Sequence, residues 1–115
     1  MNWGTVELEP EVASWLEHLD DKRWAQALMH LDLLEERGVH PGEPYTRQLD
    51  GKLRELRFYC GGERTRITYW IAPGRRIIML TVFPKTRMRE FHEVDRARRA
   101  LEKCREEGHT VEEEP

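Results

Sequence analysis

The chain has 115 residues, 36% of them charged and 38% hydrophobic, with a formal net charge of −3. That length suits one domain whose core needs no disulfide or metal staple. No run of about 18 apolar residues is present, so no transmembrane helix is expected, and the acidic start MNWGTVELEPE lacks the apolar centre of a signal peptide.

In chain order, Asn2 to Leu8 reads as a first strand, with Trp3, Thr5 and Val6 suited to a sheet. Pro10 at a first helical position opens a helix with Val12, Trp15, Leu16 and Leu19 on one face. Asp20 or Asp21 caps a second helix bearing Trp24, Ala27, Leu28, Leu31 and Leu34, and Gly38 ends it. The result is a helical hairpin whose tryptophans are expected in the core. After a Pro/Gly-rich loop, VHPGEPYT, strands Leu53–Tyr59 and Arg64–Ile71 flank the turn Gly61-Gly62. Pro73-Gly74 fits a type II turn into Arg76–Phe83, where IIMLTVF is apolar on both faces and reads as the central strand. Thr86 is the expected cap of a last helix with Phe91, Val94, Ala97, Leu101 and Cys104 in one stripe and an Asp95/Arg99 pair on its wet side. The order β-α-α-β-β-β-α describes an α+β fold: a small antiparallel sheet of about four strands with an N-terminal helical hairpin and a C-terminal helix. Residues 1–108 are expected to form the single domain and residues 109–115 an acidic tail.

The net charge conceals an asymmetry. Residues 1–48 hold 4 Lys+Arg against 10 Asp+Glu, whereas residues 49–105 hold 15 against 7. Such a split points to a basic working surface. Cys60 and Cys104 lie far apart with no CxxC or Cys/His spacing, so reduced thiols of a cytoplasmic protein are expected rather than a disulfide.

Strand alternation places the cations. Arg57 and Arg66 project from the face opposite the apolar pairs formed by Leu56 and Phe58 with Ile67, Tyr69 and Ile71. Lys85 and Arg87 follow the end of the last strand, while Lys52 and Arg54 begin the hairpin. With Tyr59 and Trp70 on the same face, this is a surface suited to RNA: cations meet phosphates and aromatic rings stack on unpaired bases. The simpler alternative pairs Arg57 with Glu55 or with an acid of the helical hairpin.

The segments LDGKLRELRF, RTRITYWI and RRIIMLTVFPKTRMREFHEVDRARRAL resemble the RelE/HigB toxin superfamily of bacterial toxin–antitoxin systems, in particular its phage-derived HigB-like branch. The matching elements are Leu49–Arg57, Arg66–Tyr69, Phe83–Thr86 and the helix from Glu90 to Ala97. The resemblance implies a RelE-like fold and the toxin half of a type II pair: an endoribonuclease that enters the ribosomal A site, cuts mRNA and inhibits translation. It also implies a helix-turn-helix antitoxin as partner, with no cofactor.

No metal-ligand motif occurs in the sequence. Metal-independent RNA cleavage uses the 2′-OH as nucleophile, and arginines stabilise the phosphorane because the guanidinium fork meets two phosphate oxygens. The motif match assigns that role to Arg57 and Arg66. Lys85 is assigned to phosphate binding or proton donation, Arg87 to a further phosphate contact, and Lys52 is a candidate base. Relatives carry a Tyr or His near the last helix, and His92 is the nearest acid/base candidate. Pro84 before Lys85, and Thr86 in place of a second Lys, depart from the family pattern. The acidic helical pair is expected to face away from RNA. Two alternatives stand beside the nuclease: a catalytically inactive module that binds an antitoxin and tunes operon repression, and a generic RNA-binding domain.

Overall fold

Residues 2–38, 45–86 and 90–107 are described by a computed structural model. Pro10 at the first helical position opens α1 (Pro10–Glu17), and the Asp20 carboxylate accepts from Arg23 N–H at 2.8 Å to cap α2 (Asp21–Arg37). α2 ends at Gly38, whose φ of +62° suits a residue without Cβ. A Cβ there would sit 2.2 Å from the Trp3 ring, so the residue meets a steric and a conformational demand at once. Gly38→Ala is therefore expected to destabilise the protein by more than ~1 kcal/mol in urea titrations.

The contact with Trp3 belongs to a larger tie. Trp3 N–H donates to Glu35 O at 3.0 Å, and the Glu35 carboxylate accepts from Val6 N–H at 2.8 Å. Together they fix β1 (Thr5–Leu8) against the end of α2. β2 (Thr46–Asp50), β3 (Leu53–Cys60), β4 (Glu63–Ala72), β5 (Arg76–Pro84) and α3 (Glu90–Glu106) complete the chain order. The sheet runs β1-β5-β4-β3-β2, antiparallel except that β1 lies parallel to β5. It thus has five strands and mixed pairing. The additional strand, TRQLD, pairs Thr46 with Leu56 and Arg47 with Glu55. It is an exposed edge whose side chains carry almost no apolar alternation, so only its ladder with β3 defines it. β5 is interior as expected, but β4 occupies the middle of the sheet.

Both faces are covered. On one, Val12, Ala27, Leu31 and Leu34 from the helical pair pack on Leu56, Phe58, Ile67, Tyr69, Ile77 and Met79. On the other, Ala97 and Cys104 of α3 pack on Leu53, Trp70, Ile78 and Leu80. Within α3, Val94 and Leu101 join that core, but Phe91 is 91% exposed and leaves the expected stripe. Trp24 is likewise 45% exposed, so not all the tryptophans of the helical pair are core residues. The stripe of α2 is narrower than its sequence suggests, because of its residues only Ala27, Leu31 and Leu34 are buried. Asp95 pairs with Arg98 at 3.0 Å, and Arg98 also reaches Asp50 at 2.6 Å. Helix pairing at i,i+3 replaces the anticipated i,i+4 contact with Arg99. α3 is described from Glu90, so residues 87–89, which separate it from the expected cap Thr86, lie outside the described residues, as does the tail 109–115.

Where β1 stops, β5 would present a bare edge. Glu11 of α1 accepts from Val82 N–H at 2.9 Å and pairs with Arg96 of α3. Arg96 also donates to Glu93 at 2.9 Å. One carboxylate therefore ends the sheet and ties helices from its two faces together. Both cysteines are buried and neither is in a disulfide, and burial pushes the Cys60 thiol above its ordinary pKa. Among the described residues, no helix is long and apolar enough to cross a membrane.

Candidate functional site

Beyond the part of the sheet that α3 covers, the same face carries polar side chains in cross-strand rows. Arg57 stands opposite Arg66, and Arg66 opposite Phe83. On one side of that row Tyr59 faces Arg64, and Lys85 N–H donates to Arg64 O at 2.8 Å. On the other, Glu55 faces Thr68, and Thr68 faces Thr81. A bulge decides this register. Thr68 pairs with Thr81 while Tyr69 pairs with Met79, so Leu80 is skipped. Ile78 and Leu80 point to α3, yet Val82 packs with the helical-pair core. The shifted phase brings Thr81 and Phe83 onto the arginine face.

Two guanidinium groups directly across a ladder repel one another. Glu55 offsets this: its carboxylate oxygens lie 3.9 Å from Arg57 Nε and 3.9 Å from Arg66 Nε. Glu55 is 4% and Arg66 6% exposed, whereas Arg57 is half-buried. Arg66 also donates to Thr65 O at 3.2 Å, and Thr68 and Thr81 share a 2.5 Å hydroxyl contact. Among the described residues, two cations and one carboxylate are thus embedded and oriented together. That is an arrangement for an anion with several oxygens.

Other residues singled out in the sequence separate into groups. Arg57, Arg66, Tyr59 and Lys85 come together at one end of the sheet. Arg54 does not share their face: it lies on the helical-pair side, where its Nε donates to Tyr69 Oη at 3.3 Å. Burial raises the Tyr69 pKa, and the Arg54 hydrogen bond opposes that shift. Lys52 sits in the turn before β3, five residues from Arg57, or roughly 16 Å along an extended strand. That separation removes it as a base acting beside the arginines. Trp70 is 2% exposed beneath α3, with the Arg105 guanidinium 5.8 Å from its ring centroid. It is a core residue and not a stacking platform; alternation placed its face correctly but could not show that a helix covers it. His92 is exposed on α3. Arg87 lies outside the described residues.

A cavity of about 410 Å³ opens where β2 stops pairing and the edge of β3 is uncovered. Arg57, Tyr59, Arg64 and Arg66 line it together with Tyr45 and His30. Tyr45 and Tyr59 are 47% and 64% exposed. Alternation with Arg66 was a usable signal for Arg64, but nothing local in sequence marks Tyr45 or His30. Their arrival depends on the placement of β2 and α2. His30 lines the cavity from the helical-pair face, where its ring stacks on Phe58, whereas Arg57 and Arg66 belong to the opposite face of the sheet. A second cavity, about 480 Å³, lies beside it between β2 and α3 and includes Glu55, Phe83 and the exposed Phe91. Among the described residues no group of three or more His, Cys, Asp or Glu is placed to hold a metal ion.

Residues 14–102 match the family described as Phage derived protein Gp49-like (DUF891). The chain belongs to that family. The Gp49-like proteins are RelE/HigB-type toxins, so the superfamily resemblance of the strand motifs holds. Solved structures agree on the fold. An archaeal RelE–RelB complex from Pyrococcus horikoshii OT3 contains a chain 23% identical to this one, with a TM-score of 0.55, covering 73% of this Gp49-like chain and 97% of that one. A free E. coli RelE toxin carrying two arginine-to-alanine changes is 15% identical, with a TM-score of 0.58, and covers 90% and 98%. No curated protein matches the chain.

Proposed function

We propose that this Gp49-like protein is the toxin of a type II toxin–antitoxin pair and acts as a ribosome-dependent mRNA endoribonuclease. The observation that carries this reading is the cross-strand placement of Arg57 beside Arg66, flanked by Arg64 and Lys85, over an open cavity. The 2′-OH attacks the adjacent phosphorus, the P–O5′ bond breaks, and a 2′,3′-cyclic phosphate and a 5′-OH result. Arg57 and Arg66 stabilise the equatorial oxygens of the phosphorane, and Lys85 gives a proton to the departing 5′-oxygen. Tyr59 offers a ring to an unpaired base at the rim. The partner is a cognate antitoxin, a reading supported by the RelE–RelB complex among the similar structures. The setting is the cytoplasm, where ribosomes and mRNA are.

Inducible expression of the wild-type chain tests this directly. Growth arrest with new mRNA 5′ ends inside translated codons is expected. A folded protein that neither arrests growth nor produces new ends would leave the antitoxin-binding module as the better reading. Ribosome binding is also expected to weaken as salt rises, because phosphate contacts release counterions. Charge reversal at Asp32 and Glu36, on the outer side of α2, is the proper probe of the acidic half. Glu35 is unsuitable because its carboxylate holds β1.

A further inference from the structure

The arginines and Lys85 account for charge stabilisation and the leaving group, but neither removes the proton of the attacking 2′-OH. A guanidinium cannot do so, since it stays protonated. Lys52 lies before β3, in the turn away from the arginines. His92 lines neither cavity beside them. His30 stacks on Phe58, on the opposite face of the sheet. The carboxylate set between the two arginines is the group that fits.

Strand alternation puts Glu55 on the same face of β3 as Arg57, and Arg57 stands opposite Arg66 in the ladder. Its two oxygens are divided between them: Oε2 lies 3.9 Å from Arg57 Nε and Oε1 lies 3.9 Å from Arg66 Nε. These contacts are ion pairs, too long to be hydrogen bonds. Glu55 is almost fully buried, yet it lines the cavity of about 480 Å³ between β2 and α3. Phe83, the ladder partner of Arg66, lines that cavity as well. Arg57 and Arg66 line the neighbouring cavity of about 410 Å³. The carboxylate therefore stands at the boundary between two cavities, within a fixed distance of both cations.

We propose that Glu55 is the general base of the proposed ribonuclease, a role that rests on the nuclease reading above. A phosphodiester held by both guanidinium groups lies next to this carboxylate, and the 2′-OH is the substrate hydroxyl adjacent to its phosphorus. A Glu55 oxygen takes the 2′-OH proton as the 2′-oxygen bonds to phosphorus. The P–O5′ electron pair leaves with the 5′-oxygen, which takes a proton from Lys85. Glu55 then returns its proton to solvent and Lys85 regains one, so no co-reactant is consumed. The distribution of charge suits this step. With substrate bound, Arg57 and Arg66 face one negative charge on Glu55 and one on the phosphodiester; in the transition state the carboxyl is neutral and the phosphorane carries both. Negative charge thus passes between neighbouring groups that the same two preorganised cations face. The substrate class is single-stranded RNA, with the scissile phosphate on Arg57 and Arg66 and the attacking ribose toward the cavity between β2 and α3.

The test is single-turnover cleavage of mRNA on programmed ribosomes by the full-length chain. Glu55→Gln, checked by circular dichroism to be folded at the assay temperature, is expected to slow cleavage about 100-fold or more while ribosome binding stays within about twofold. A substrate with sulfur in place of the scissile 5′-oxygen separates base from acid, because a thiolate leaves without needing a proton. That substrate should restore Lys85→Ala but not Glu55→Gln. Cleavage by folded Glu55→Gln within about threefold of wild type would overturn the proposal, and so would equal rescue of both variants by the sulfur substrate. Should the glutamine variant not fold, Glu55→Asp keeps the counter-charge but draws the carboxylate back by one methylene. A base role then predicts slower cleavage with ribosome binding unchanged, whereas cleavage by Glu55→Asp at the wild-type rate would leave Glu55 as a counter-charge alone. Absence of any cleavage by the wild type would sink the nuclease reading itself, a distinguishable result.

Discussion

Replacing Arg66 by alanine should lower ribosome-dependent cleavage by about 10²–10³-fold, the usual effect of removing one preorganised donor to a developing oxyanion. Arg66 is the most enclosed cation of the site, 6% exposed, held by Glu55 and Thr65 O. Its geometry is therefore set before substrate arrives. Arg57 is half-buried and is expected to lose less, about 10-fold to 100-fold, when truncated. Arg66→Lys should not restore the wild-type rate, because an ammonium cannot meet two phosphate oxygens at once. The double Arg57→Ala/Arg66→Ala chain should neither arrest growth nor generate new mRNA ends, while still binding its antitoxin. Cleavage by Arg66→Ala within threefold of wild type would place the phosphate elsewhere.

The second large effect is on stability. Glu55→Ala removes the carboxylate shared by two cations that face each other across the ladder. Taking one partner from a buried ion cluster costs on the order of 3 kcal/mol, because the remaining charge has lost its main counter-charge. Urea titration of the purified chain measures this. Glu55→Gln keeps the shape but not the charge, and should be destabilised in the same direction. Sulfate should then stabilise Glu55→Gln more than wild type, since an anion binding the folded state adds to its stability by mass action. Equal response of the two chains to sulfate would show that Glu55 is not what balances Arg57 and Arg66.

Much of this molecule was legible in its residues. Pro10, Asp20 and Gly38 punctuate the helical pair because each position has a local physical demand: a missing donor, a cap, a positive φ. Gly61-Gly62 closes the β3–β4 hairpin for the same kind of reason, with φ of +60° and +81°. Period-two alternation placed Arg57 and Arg66 on one face opposite Leu56, Phe58 and Ile67, as the register has it. These are properties of a chain and its immediate neighbours, and sequence determines them.

What the tertiary structure alone decided is which positions meet and which are covered. Trp70 has the right parity for the arginine face but is buried by α3, and Phe91 has a core-stripe spacing but points to water. The bulge at Leu80 re-phases β5 and moves Phe83 onto the site, a shift no alternation pattern announces. Strand β2 exists only as a partner of β3, and its end leaves the cavity that Tyr45 and His30 enter. Each of these depends on packing between segments distant in the chain. Side-chain periodicity reports which way a residue points from its own strand or helix, and not what another element has placed there.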